Sequence, residues 1–114
     1  MDHFYLYLAV PSSAPINITV TQTSTRSISI WWQPVPLRDR NGVILKYKIT
    51  YYSSKWMHEN SLQVDGSKTT AILDKLIPFT TYNITITAAT VIGYGPISNS
   101  IFANTSQSCK FIIY

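Results

Sequence analysis

Leu76-Ile77-Pro78-Phe79-Thr80-Thr81-Tyr82 leads the chain into its most regular segment, and the reading of the fold works outward from it. From Tyr82 onward, Tyr82, Ile84, Ile86 and Ala88 alternate with Asn83, Thr85 and Thr87. A period of two with one apolar side is the signature of a strand buried on one face. Upstream, Ile28, Ile30 and Trp32 oppose Ser27, Ser29 and Trp31, and Pro34 and Pro36 end that strand because proline has no N–H to give a ladder.

The remaining segments repeat the pattern. Ile18 and Val20 face one way while Asn17 and Thr19 face the other, after a Pro/Ser-rich lead-in over residues 12–15. A polar loop over 37–42 closes with Asn41-Gly42, two residues that tolerate positive φ. The third strand is expected over 44–52, with Tyr47, Ile49 and Tyr51 inward and Lys46, Lys48 and Thr50 outward. Residues 55–60 read as irregular, 62–64 as a short strand ended by Asp65-Gly66, and 69–73 as a strand offering Ala71 and Leu73 to the core. Gly93, Gly95 and Pro96 mark a turn before a last strand expected over 97–105. Helical periodicity never persists, and seven short strands divided by turn signals argue for an all-β, two-sheet sandwich.

Composition agrees. The chain has 114 residues, 46% of them hydrophobic, with eight Tyr, three Trp and four Phe, which suits one strand-rich domain with one core. Charged residues are 12%, and the net charge of +4 is too mild and too dispersed for a nucleic-acid-binding domain. The single cysteine, Cys109, excludes an internal disulfide and a four-cysteine zinc site, so stability must come from packing. The apolar run over 4–10 reads either as a truncated leader or as the end of a preceding element. The run over 111–114 is far too short for a spanning helix of about 20 residues. The organisation expected is an N-terminal segment or linker over 1–12, a globular domain over 13–107 and a tail over 108–114.

With these landmarks in place, the chain resembles a fibronectin type III domain. The family's L-x-P-x-T-x-Y pattern is present as Leu76, Pro78, Thr80 and Tyr82, and its Trp followed by Pro as Trp32-Gln33-Pro34. Asn41-Gly42-Val43-Ile44 leads into the alternating third strand, as in the family. The later A-x-N-x-x-G-x-G-P-x-S pattern appears in Ala88, Thr90, Gly93, Gly95, Pro96 and Ser98, departing at Thr90 where Asn is usual. The resemblance implies a seven-stranded, immunoglobulin-like sandwich in which Tyr82 forms a tyrosine corner and Trp32 the central core aromatic. An immunoglobulin domain proper would bring a cysteine pair, and a cytokine-receptor module a Trp-Ser-x-Trp-Ser element; both are missing. Structural roles are therefore expected of Trp32, Leu76, Pro78 and Tyr82.

Catalysis needs converging acid, base or nucleophile groups, and His3, His58, Cys109 and the five acidic residues are scattered. No enzyme activity, metal or cofactor is expected. Three Asn-x-Ser/Thr triplets, beginning at Asn17, Asn83 and Asn104, are candidate glycosylation sites, and the alternation turns Asn17 and Asn83 outward. Arg38, Arg40, Lys46, Lys48 and Lys55 fall within 18 positions and form a candidate binding face, with Trp31 and Trp56 as candidate contact aromatics. As the resemblance implies, the chain is expected to be a non-catalytic protein-binding or spacer module of an extracellular adhesion or receptor protein, next to domains of its own kind. The alternative is a module binding heparan sulfate or another carbohydrate through the 38–55 face. Neither reading involves nucleic acid or membrane insertion by this chain.

Overall fold

A computed structural model describes residues 8–107; the apolar run over 4–10 lies outside it except for its last three residues, and Cys109 and the tail over 108–114 lie outside it altogether. Seven strands run in order: β1 (Ile16–Thr23), β2 (Ile28–Gln33), β3 (Lys46–Ser53), β4 (His58–Asp65), β5 (Thr70–Leu73), β6 (Thr81–Ala89) and β7 (Ile101–Asn104). They form a three-stranded sheet, β1-β2-β5, and a four-stranded sheet, β4-β3-β6-β7. All pairings are antiparallel. The expected all-β sandwich is the fold observed.

The inward residues of both sheets meet as the alternation requires. Ile28, Ile30 and Trp32 of β2, Tyr47, Ile49 and Tyr51 of β3, Ala71 and Leu73 of β5, and Tyr82, Ile84 and Ile86 of β6 are all buried in one cluster. Trp32 is fully enclosed and meets Tyr47 edge-on, with ring centroids 5.3 Å apart. Its indole Nε1 is buried without a hydrogen-bond partner, so the ring is held by packing while the backbone N–H donates to the Thr69 carbonyl at 3.0 Å. Asn41 and Gly42 both take positive φ, 56° and 146°, as the turn between β2 and β3 demands.

Two strands differ from expectation, each for a physical reason. β4 begins at His58, inside the stretch expected to be irregular, because the ladder with β3 continues through Tyr51 opposite Asn60, Tyr52 opposite Glu59 and Ser53 opposite His58. β4 is an edge strand, so His58, Glu59, Asn60 and Ser61 need no apolar alternation to stay in it. The last strand begins at Ile101 and not at 97. Over 95–98 the chain still lies beside β6, but through a mixed set of bonds: the Ile86 N–H donates to Ser98 Oγ at 2.8 Å, and Thr87 Oγ1 donates to the Gly95 carbonyl at 3.0 Å. The Gly95 and Ser98 N–H groups still donate to the Ala88 and Ile86 carbonyls, each at 2.9 Å, while Pro96 has no N–H to give.

The sandwich has two poles. Residues 9–13 enter at one, held by the Ala9 N–H on the Asn41 carbonyl (3.0 Å), Thr90 Oγ1 on the Ala9 carbonyl (2.6 Å) and the Ser12 N–H on the Asp39 carbonyl (2.8 Å). Gly95 must be glycine for this lead-in to fit, since a Cβ there would stand 2.5 Å from the Pro11 carbonyl oxygen. β7 ends at the opposite pole, beside the β1–β2, β3–β4 and β5–β6 connections.

Candidate functional site

The exit pole is built on residues 76–82. The Tyr82 hydroxyl accepts the Ile77 N–H at 3.0 Å and shares a second hydrogen bond with Nδ1 of His58 at 3.1 Å. Thr80 is buried; its Oγ1 donates to the Pro78 carbonyl (2.8 Å) and its N–H to Thr105 Oγ1 (2.9 Å). Thr105 in turn donates to the Ile77 carbonyl at 2.7 Å, so this corner and the end of β7 are one hydrogen-bonded unit. Leu76 is buried beneath it.

This rigid corner carries an apolar rim. Trp56 donates its indole N–H to Thr80 Oγ1 at 3.1 Å, yet its ring is 52% exposed. Met57, next in the chain to Trp56, and Phe79, next in the chain to Thr80, are 76% and 68% exposed, each at a φ of 49°. A non-glycine residue in the left-handed region costs energy, and two bulky apolar ones are held there at this pole. Lys55 lies 5.2 Å over the Trp56 ring. Sequence reasoning found Trp56 but missed Phe79, which occupies a free position of the L-x-P-x-T-x-Y pattern and gives no alternation signal of its own.

The basic residues of 38–55 are divided. Lys46 and Lys48 lie on the outer face of the four-stranded sheet, and both reach the Tyr94 ring, at 5.4 and 5.8 Å. Arg38 and Arg40 belong to the entry pole, where Arg38 pairs with Asp39 at 3.8 Å and Arg40 Nε donates to the Val35 carbonyl at 2.7 Å. Lys55 belongs to the exit pole, beyond the far end of β3. Tyr94, the residue that gathers two of the lysines, sits between Gly93 and Gly95 and was not singled out from sequence. Trp31 is on the outer face of the three-stranded sheet, 36% exposed, and packs across strands from Thr19 and Thr70.

The three sequon asparagines occupy different settings. Asn17 is exposed, takes a φ of 54° in an irregular part of β1, and donates from Nδ2 to Gln33 Oε1 at 2.8 Å. Asn104 accepts the Thr81 hydroxyl at 2.6 Å. Asn83 is half-buried on the outer face of β6, between Tyr52 of β3 and Phe102 of β7.

No group of three or more His, Cys, Asp or Glu side chains able to hold a metal exists among the described residues, and no helix is long and apolar enough to cross a membrane. His58 is occupied as a structural partner of Tyr82. Exposed large apolar side chains lie at the exit pole (Trp56, Met57, Phe79), at the entry pole (Leu37, Val43, Val91, Ile92) and on the sheet faces (Trp31, Ile72, Phe102).

The family model of the fibronectin type III domain matches residues 13–104. Over 98 residues the chain is 34% identical to the tyrosine-protein phosphatase Lar of Drosophila melanogaster, covering 86% of this chain and 5% of that protein. Over 100 residues it is 34% identical to human neogenin (87% and 7%), and over 96 residues 38% identical to receptor-type tyrosine-protein phosphatase F of Bos taurus (84% and 5%). The chain thus spans a small fraction of these relatives, and the matched length is that of one domain. Among solved structures, an fn3 domain of human contactin 1 superposes with a TM-score of 0.77 at 29% identity, covering 96% of this chain and 90% of that one. The FN1-FN3 segment of chicken CNTN1 gives 0.74 at 27% identity, covering 85% of this chain and 32% of that one. With the sandwich, the tyrosine corner and the family model in agreement, the chain belongs to the fibronectin type III family.

Proposed function

We propose that this domain is a non-catalytic contact and spacer module in the extracellular part of a receptor or adhesion protein, joined end to end with domains of its own kind. The observation that carries the reading is the placement of apolar exposure at both poles, with Trp56, Met57 and Phe79 around the point where β7 ends. Isolated apolar residues are normal on a surface, but a cluster at a chain exit, held on a hydrogen-bonded corner, fits a junction with a neighbour. The three-domain contactin segment that superposes on this chain and the receptor-type relatives support the same context.

The test is the paired substitution Trp56→Ser and Phe79→Ser, made in this chain and in a length of its parent that includes the following domain. In the single domain the melting temperature is expected to move little. In the longer chain the linker is expected to become readily cleaved by protease and the interdomain angle to spread in small-angle scattering. An unchanged junction would overturn the reading.

A further inference from the structure

Asn83 has a setting that neither of the other sequon asparagines shares. It stands in the interior of the four-stranded sheet, and its cross-strand partners on the outer face are both aromatic: Tyr52 of β3 on one side and Phe102 of β7 on the other. Directly opposed residues hold their Cβ atoms about 4.5–5.5 Å apart, so the three side chains form one short row across the sheet. Phe102 is 68% exposed. Tyr52 is half-buried, with its hydroxyl turned to Met57 Sδ at 3.3 Å. Together with Ser54 and Thr81 the row lines a shallow cleft of about 130 Å³. Asn83 Oδ1 is buried in the protein without a hydrogen-bond partner, whereas Nδ2, the atom that would carry a glycan, is not among the buried unpaired atoms. An unpaired buried carbonyl is uncommon and calls for an explanation.

We propose that Asn83 is the glycosylated asparagine of this domain and that the first sugar of its glycan lies in the Tyr52–Phe102 cleft, its apolar face on the Phe102 ring. Thr85, the hydroxyl residue of the sequon, lies two positions on along the same strand and so on the same outer face. The sugar covers the exposed Phe102 ring. Asn17, by contrast, already has Nδ2 engaged with Gln33, and Asn104 has its Oδ1 engaged with Thr81 beside the buried Thr105. In the transfer, Asn83 Nδ2 forms a bond to C1 of an N-acetylhexosamine while the bond from C1 to the phosphate oxygen of a lipid-pyrophosphate-linked oligosaccharide breaks. The bonding pair leaves with the pyrophosphate, which takes up the amide proton, and no redox change occurs. The proposal rests on the extracellular reading, so its test supplies the secretory route itself.

The chain is expressed in mammalian cells behind an added secretion leader, and site occupancy is read by mass spectrometry on secreted and cell-associated protein, before and after peptide N-glycosidase. Asn83 is expected to be occupied, and Asn83→Gln to remove that glycan. The occupied domain is expected to melt a few degrees above the same domain made without glycan in bacteria, and this difference to vanish in Phe102→Ser, whose replaced side chain is on the surface. Asn83 unoccupied, with or without glycan at Asn17 or Asn104, overturns the site. Occupancy with the same thermal difference in Phe102→Ser overturns the seat on the ring. A failure of the natural protein to reach the cell surface would overturn the extracellular reading and leave these outcomes as measured.

Discussion

Tyr82 and Trp32 show what single residues contribute. Tyr82→Phe keeps the ring, which packs edge-on to Tyr51 at 6.3 Å, and deletes the hydroxyl that accepts the Ile77 N–H and meets His58. Leaving that backbone donor unpaired is expected to cost about 1–3 kcal/mol, measured as a denaturant midpoint shift at unchanged slope. Trp32→Ala empties the centre of the core and is expected to cost about 3–5 kcal/mol out of a domain stability of roughly 5–15, whereas Trp31→Ala, on the outer face, moves the midpoint little. Equal losses would refute the register of β2. Both residues were legible because alternation and the Trp and Tyr landmarks identify them; His58 as the partner of Tyr82 was not, since an isolated histidine in a polar stretch carries no period.

Titration also belongs to single residues. Asp65 accepts the Ser67 N–H at 2.8 Å and the Ser67 hydroxyl at 2.7 Å; these bonds, with Lys68 nearby, hold its carboxyl below the usual carboxylate range. A carboxylate with a lower value folded than unfolded contributes stability above its unfolded value and loses it as the pH falls. Tyr51 is displaced the other way, raised by burial first and then by Asp74 and Tyr82, and burial raises Tyr47 as well against the opposing charge of Arg40. Their contribution is complete below the unfolded value of about 10 and is lost as the pH climbs past it. Stability is therefore expected to decline at both extremes, and Asp65→Asn to flatten the acid side alone when unfolding is followed against pH.

At the scale of elements, β2, β3 and β6 could be read from sequence because each has an alternating apolar face that is buried, although β6 is covered on both faces over its last four residues. β4 and the approach to β7 could not, because an edge strand and a stretch bonded partly through Ser98 and Thr87 side chains owe their place to neighbours and not to their own pattern. The lead-in is a similar case: residues 9–13 look like linker in composition, but the structure fastens them to Asp39, Asn41 and Thr90. Gly95→Ala tests that fastening. The new methyl would meet the Pro11 carbonyl, so the substitution is expected to lower the melting temperature and to speed amide exchange at Ala9 and Ser12, whose N–H groups bond the 39–41 loop. Amides at the opposite pole, such as Phe79, should keep their protection. Uniform loss of protection would mean that residues 9–13 are integral to global stability and not a clamp on one pole.

For the whole molecule, the distribution of charge decides what the domain can bind over a long track. Nearness in sequence placed Arg38, Arg40, Lys46, Lys48 and Lys55 together, but β3 runs from pole to pole and separates them. Arg38 is paired, Arg40 is tied to the chain behind it, Lys46 and Lys48 share Tyr94, and Lys55 covers Trp56 at the far end. Exposed charges further apart than about 8–10 Å are largely screened from one another at physiological salt, and each of these groups already has a neighbour of its own, so none of the five stands out as the centre of a site for an anionic polysaccharide. Retention on heparin is accordingly expected to follow the net charge of +4, with Lys46→Ser, Lys48→Ser and Lys55→Ser each lowering the eluting salt by a similar small step. A loss at Lys46 and Lys48 much larger than at Lys55 would instead assign the Tyr94 face a ligand of its own. The same separation leaves exposed Trp56 and Phe79 near the chain's exit and Val91 and Ile92 near its entry, which is the arrangement on which the proposed end-to-end contact rests.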